Sequence, residues 1–344
     1  MKEIEIQGKR IGPHHPPFVI AEVGINHEGE YEKAIRLVDA AVEAGAECIK
    51  FQCHITEQEM IPTDMTPGDI SKEKLWDIIK RCELSEKEEI DVKKHCDDKG
   101  IIYLSTPFSR EAADRLEGMG VPAYKIGSGE CNNLPLVEHI AKKKRPMILS
   151  TGMNDIASIS KSVEVIKRYR VPFMLMHCVS MYPAPYEKLN LRSIPQMEEL
   201  FGVPVGMSDH SLGIYTCLGA VALGASALEK HFTISRDWPG PDIPLSIEPG
   251  ELSELVKGSK AVWLARGGEK AVLPEEKPVI DFAYACVVAI RDIRPEEEFS
   301  LDNIWVKRPG TGDIKAGSFN DILGKKARSR IKKDSQLKWE DIYE

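Results

Sequence analysis

The sequence predicts an α/β protein: a (β/α)8 barrel of the TIM type with an N-terminal hairpin and a small, mainly β C-terminal domain. Three observations predict it. Short apolar runs alternate with amphipathic helical stretches eight times, the pattern of parallel strands joined by crossover helices. Eight such units fill about 250 residues, the usual size of a barrel. The alternative is a doubly wound open sheet. Against it, no Gly-x-Gly-x-x-Gly follows the first strand of the rhythm.

Each element has its own signal. EIEIQGKRIG alternates around a Gly-containing turn and predicts a hairpin. FVIAEVGIN is the first barrel strand, and YEKAIRLVDAAVEAGA has helical periodicity. ECIKFQ is the second strand. SKEKLWDIIKRC and SEKEEIDVKKHCDDKG then predict helices, the latter with Ser85 as N-cap and Gly100 as its stop. IIYLSTPF precedes REAADRLEGMG, AYKIGSGE precedes LPLVEHIAKKK, and PMILSTGM precedes DIASISKSVEVIKRY. PFMLMHCVS leads into the loop MYPAPYEKLNL and a helix over 194–201. VPVGMSDHS precedes IYTCLGAVALGA. SALEKHFTI precedes the loop SRDWPGPDIPLSIEP and the helix ELSELVKGSKAVWLARG.

After residue 268 the rhythm stops. GEKAVLPEEKP is polar and Pro-containing and predicts a linker. The expected division is a barrel over 1–268, a linker over 269–284 and a small β domain over 285–344. Composition is ordinary, 42% hydrophobic and 29% charged, so a packed core is expected. A net charge of -8 weighs against nucleic acid as a partner. No apolar run is long enough to span a bilayer, and MKEIEIQGKRIG has no signal-peptide core. The eight cysteines form no Cys-x-x-Cys pair. Together these predict a cytoplasmic protein with buried free thiols and no membrane partner.

Barrel active sites lie at the C-terminal strand ends, and here those ends are polar. They offer Glu22, Asn26 and His27; Lys50 and Gln52; Ser105 and Thr106; Lys125, Ser128 and Glu130; Ser150 and Thr151; Tyr182 in a loop; then Ser208, Asp209, His210, Glu229 and His231. Lysine is almost never fully buried unless paired. Lys50 and Lys125 either snorkel out, or pair with Glu22, Glu130 or Glu229, or form an anion site with the hydroxyls of Thr106, Ser128, Ser150 and Ser208. Such a site suits a phosphate and a carboxylate.

Ser208 and His210, and likewise Glu229 and His231, are two residues apart and share a strand face. The histidines come from neighbouring strands. They are either packed core residues or the protein's share of a metal centre. Two imidazoles completed by water and substrate oxygens fit Mn2+, or another six-coordinate ion such as Mg2+ or Co2+, better than structural zinc. Trp238, in the Pro-rich loop DWPGPD, is either a lid contact or a packed loop residue.

AEVGINHEG, IKFQ, STPF, YKIGSGE, LSTGM, YPAPYE, SDHSLG, EKHFTI, PGPD and SIEP, in this order along nearly the whole chain, resemble the sialic acid synthase family. VKRPGTGD resembles that family's antifreeze-like (SAF) domain. The resemblance implies condensation of phosphoenolpyruvate with an N-acylated hexose, N-acetylmannosamine or a diacetamido-trideoxyhexose. It implies that His210 and His231 hold Mn2+. It assigns Lys50, Thr106, Lys125, Ser128, Ser150 and Ser208 to phosphoenolpyruvate, and Glu22 to the attacked carbon as base or water-positioner. It implies that Glu130, Tyr182, Glu229 and Asp242 hold the sugar or stand just behind it; Gln52, on the same face as Lys50, is a further substrate-binding candidate. It also implies a domain-swapped homodimer in which Arg308 reaches the N-acyl group in the other subunit. Glu28 and Ser180 depart from the common pattern, and both bear on which acyl sugar is taken. Two other readings are a lysine Schiff-base aldolase on the same barrel and a non-catalytic sugar-binding protein.

Overall fold

The computed structural model describes residues 3–68 and 70–343; the outer limits of the predicted domains, residues 1 and 344, lie outside them. Strands β1 (Ile4–Ile6) and β2 (Lys9–Ile11) pair antiparallel as the predicted hairpin. Eight parallel strands follow: β3 (Phe18–Gly24), β4 (Cys48–Cys53), β5 (Ile102–Pro107), β6 (Tyr124–Ile126), β7 (Met147–Ser150), β8 (Phe173–Cys178), β9 (Val205–Asp209) and β10 (Ala227–His231). Their order, β5-β4-β3-β10-β9-β8-β7-β6, brings the first and last strands of the rhythm together at β3 and β10. β5 and β6 are neighbours but share no ladder hydrogen bonds, so the barrel is nearly closed.

The crossovers are α1 (Tyr31–Glu43), α2 (Thr56–Glu59), α3 (Leu75–Cys82), α4 (Glu86–Lys99), α5 (Arg110–Gly118), α6 (Leu134–Lys142), α7 (Ile156–Arg168), α8 (Ser193–Phe201), α9 (Tyr215–Ala222) and α10 (Pro249–Ala265). Local chemistry sets their ends. Ser85 and Glu88 form a capping box at the start of α4, and Gly100 closes it at φ 76°. α3 begins later than expected from SKEKLW, because the Ser71 hydroxyl accepts from Glu73 N in a local turn.

Strand alternation explains where the site falls. The outward residues pack with the helices in the main core. The inward residues are apolar at the N-terminal end: Phe18, Ile20, Cys48, Ile102, Leu104, Ile148, Met174 and Met176. Ile4, Ile6 and Ile11 of the hairpin plug that end. Gly206 completes the filling, since a Cβ there would lie 2.6 Å from both Ala227 O and Met176 Sδ. One step further along each strand the inward positions turn polar.

Residues from Gly268 on form a separate unit. The expected linker contains a helix, α11 (Lys277–Ala283), preceded by a 3-10 turn at Pro274–Glu276. A proline in the first turn favours this start, where a missing N–H costs nothing. β11 (Cys286–Ala289) and β12 (Ile304–Lys307) pair antiparallel. They share a small core with Ile293, Phe299, Ile314, Ile322, Ala327 and Leu337. All eight cysteines are free and buried. No helix among the described residues is long and apolar enough to cross a membrane.

Candidate active site

The C-terminal strand ends open into a pocket of about 480 Å3. Its floor is a network of buried charges. Lys50 Nζ lies 2.6 Å from Glu22 Oε2, 3.1 Å from Thr106 Oγ1 and 3.8 Å from Glu229 Oε1. Lys125 Nζ donates to both oxygens of Glu229, at 2.8 and 2.9 Å. Ser208 Oγ adds a third donor to Glu229 at 3.1 Å. Both lysines are therefore paired, and both also line the pocket. The strand register brings this about, because Glu22 stands directly opposite Lys50.

The two carboxylates meet different surroundings. Burial pushes the Glu22 carboxyl up, against the pull of Lys50. Burial also works against ionised Glu229, but Lys125 and Lys50 together hold its carboxyl down. Splitting two nearby acids in this way leaves one fixed anion and one group able to exchange a proton.

His210 and His231 face each other with ring centroids 5.4 Å apart. Tyr182 stacks on His210 at 4.2 Å and meets His231 edge-on at 6.1 Å. The Pro-rich loop thus delivers a ring to the histidines. His210 Nδ1 donates to Val179 O at 3.0 Å, which leaves Nε2 as the nitrogen with a lone pair. Metal-bound histidines use this arrangement. His231 Nδ1 is buried without a hydrogen-bond partner and lies 3.7 Å from Asp242 Oδ2. Glu22, His231 and Asp242 converge around Gly24, whose φ is 55°. Burial pushes Asp242 up to about 6.

The donor set fits a metal in part. It supplies one imidazole with its tautomer fixed and a second with an unpartnered nitrogen. Among the described residues no three His, Cys, Asp or Glu side chains form a metal site by themselves. An ion held here would take its remaining ligands from substrate and water.

Of the predicted site residues, Glu22, Lys50, Gln52, Thr106, Lys125, Ser128, Ser150, Tyr182, Ser208, His210, Glu229 and His231 all line this one pocket. Ser150 Oγ is buried with no partner, and Ser128 Oγ accepts from Gly152 N. Asp242 stands behind His231 rather than in the lining. Glu130 is also outside it. Ser128–Glu130 is a 3-10 turn, not strand, so residues two apart there diverge. Glu130 instead accepts from Asn133 Nδ2. Arg308 is exposed beyond β12 in the C-terminal unit. Trp238 packs against the cationic ends of Lys33 and Arg36 and is a loop-packing residue.

Sequence reasoning missed His54, Glu59, Phe108 and Cys178, which also line the pocket. A signal existed for His54, since it continues the inward series Lys50, Gln52 at the same spacing. Met60, Ile70, Leu75 and Ile79 form an apolar wall on the same side.

Comparison with known proteins adds three findings. Residues 37–271 match the NeuB family model and residues 284–342 match the SAF domain. The chain is 36% identical to the N,N'-diacetyllegionaminic acid synthase of Campylobacter jejuni, over 93% of this chain and 98% of that protein. It is 34% identical to the N-acetylneuraminate-9-phosphate synthase of Homo sapiens, over 97% and 95%. Among solved structures it resembles an N-acetylneuraminic acid (sialic acid) synthetase from Leptospira borgpetersenii in complex with citrate. The TM-score is 0.74 and the identity 34%, over 81% of this chain and 95% of that one.

Proposed function

The chain belongs to the NeuB family and carries a C-terminal SAF domain, and on that basis we propose that it is a nonulosonic acid synthase. It condenses phosphoenolpyruvate with an N-acylated hexose and releases phosphate. The observation that carries this reading is one pocket with two paired lysines on its floor and two facing histidines on its wall.

Lys50 and Lys125, with the hydroxyls of Thr106, Ser128, Ser150 and Ser208, bind the phosphate and carboxylate of phosphoenolpyruvate. His210 and His231 would hold a divalent cation, Mn2+ on the donor chemistry, which would supply Lewis-acid polarisation of the sugar aldehyde. The C2–C3 π pair of phosphoenolpyruvate forms the new bond from C3 to the aldehyde carbon as the C=O π bond opens, and that oxygen takes a proton from water. Positive character develops at C2, where Glu229 and Glu22 stabilise it. Glu22 accepts a proton from the water that adds at C2. The tetrahedral centre then expels phosphate by C–O cleavage, and its C2 hydroxyl gives up its proton to the departing phosphate to leave the ketone.

Gln52 and Tyr182 flank the sugar, Asp242 backs His231, and Arg308 of a second copy reaches the acyl group. The apolar wall of Met60, Ile70, Leu75 and Ile79 suits acyl methyls or a deoxy carbon. A Schiff-base aldolase needs a neutral amine; against burial, Glu22 and Glu229 hold the Lys50 pKa up, while Lys125, lowered by burial, has its ammonium bound to both oxygens of Glu229.

The test is phosphate release from phosphoenolpyruvate with a panel of N-acylated hexoses, their 6-phosphates and diacetamido-trideoxyhexoses, with and without EDTA. Metal-dependent release with one of them is expected. No release with any sugar under metal-replete conditions sinks the synthase reading. Trapping of substrate by borohydride favours the aldolase instead.

A further inference from the structure

The inward series of β4 does not stop at Lys50 and Gln52. His54 follows them just past the strand end, and its side chain is 3% exposed. Nothing in the reaction above uses it, yet it is held on three sides. His54 Nδ1 lies 3.0 and 2.9 Å from the two carboxylate oxygens of Glu59. Its Nε2 lies 2.9 Å from Gln52 Oε1. Its ring stacks on Phe108 with centroids 4.5 Å apart and planes 12° apart. Glu59 is anchored in turn, because α2 begins at Thr56, whose N and Oγ1 both donate to Glu83 Oε1.

The consequence falls on Gln52. An amide oxygen only accepts, so in the contact with Gln52 it is His54 Nε2 that donates. With its oxygen engaged by His54, the Gln52 amide turns its NH2 group inward, 3.4 Å from Glu22 Oε1. Gln52 then offers the pocket a donor and no acceptor. A flipped amide would set its oxygen against Glu22 Oε1 and lose that contact.

We propose that His54 is a positioning residue for the sugar. Braced by Glu59 and Phe108, it locks the Gln52 amide so that the NH2 group meets an oxygen of the acylated sugar beside Glu22. The inference rests on the synthase reading and adds to it a line of contacts from α2 to Glu22.

The test is steady-state kinetics of His54→Phe, which keeps an aromatic ring on Phe108 but removes the nitrogens that meet Gln52 and Glu59. The Michaelis constant for the sugar should rise about tenfold, the worth of one net hydrogen bond. That for phosphoenolpyruvate should stay at the wild-type value. Glu59→Leu frees Nδ1 without touching Gln52, and should raise the same constant by a smaller factor. Gln52→Ala should weaken sugar use in the wild type and add little in the His54→Phe background, because His54 acts through Gln52. Effects of the two changes that simply multiply would overturn the proposal. So would a sugar constant unmoved in both His54→Phe and Glu59→Leu, or an equal rise for both substrates. A wild type inactive with every sugar overturns the synthase reading together with this one, whereas an active wild type with an indifferent His54→Phe overturns this one alone.

Discussion

Lys230 Nζ lies 3.0 Å from Asp209 Oδ2, and neither side chain has any exposed surface. The pair occupies the outward face of β9 and β10, behind the histidines that these strands deliver to the pocket. Asp209 also accepts from Ser211 N, Ser211 Oγ and Thr216 Oγ1, and Lys230 donates to Ser211 O. The network fixes the turn that begins with His210. Lys230→Met should therefore cost about 3–5 kcal/mol, because it strands a buried carboxylate. Urea unfolding measures this, and a loss under about 1 kcal/mol would show that the pair is not needed for folding.

Removal of the metal gives a second expectation. Mn2+ should raise the melting temperature of the wild type, because an ion that binds only the folded state stabilises it. The shift should vanish in the His210→Ala, His231→Ala double variant, whose metal content after dialysis should also fall. An undiminished shift in that variant would place any bound ion elsewhere.

The two floor lysines give a third. Lys50→Met and Lys125→Met should each raise the Michaelis constant for phosphoenolpyruvate about tenfold or more, the worth of a charge-assisted hydrogen bond. The sugar constant should change far less. Equal changes in both constants would argue that the lysines shape the pocket rather than bind the anion.

These residues show how much was legible in the chain. The barrel was legible because parallel strands covered on both faces are written as short apolar runs such as FVIAEVG. The site was legible because lysine, glutamate and histidine interrupt those runs at the same relative height. The pairing was not. Whether Lys50 meets Glu22 or Glu130 depends on strand register and on a 3-10 turn after β6, neither of which leaves a periodic trace. His54 was missed because its partner Glu59 stands one short helix later, at a spacing that carries no signal of its own. Trp238 was ambiguous because a Pro-rich loop looks alike whether it covers a ligand or packs on Lys33 and Arg36.

Arg308 supplies a fourth expectation, that each site takes one residue from a second copy. Arg308→Ala should raise the sugar constant about tenfold while leaving the barrel folded, as for loss of one charged hydrogen bond. Subunits carrying Arg308→Ala, mixed with inactive subunits carrying His231→Ala, should recover the wild-type sugar constant that Arg308→Ala alone lacks. A site built from one barrel and the other subunit's Arg308 would then be intact. A sugar constant still raised, with mixed dimers present, would return Arg308 to its own subunit or to the surface.

The last expectation concerns acid. His27 follows β3 and is 1% exposed. Gly29 N donates to its Nδ1 at 3.1 Å, and its Nε2 is buried without a partner. Burial, and then the nearby His54, lower its pKa from 6.5 to about 4. Below pH 6.5 the unfolded chain takes up this proton while the folded chain does not. Stability is thus complete above about 6.5 and is lost as pH falls towards 4, by about 3 kcal/mol at about 1.4 kcal/mol per pH unit. His27→Asn keeps an acceptor for Gly29 N but cannot titrate. Its unfolding free energy should fall less steeply than that of the wild type between pH 7 and 4. Equal slopes would mean that His27 takes up its proton without unfolding, and that its burial has no part in acid stability.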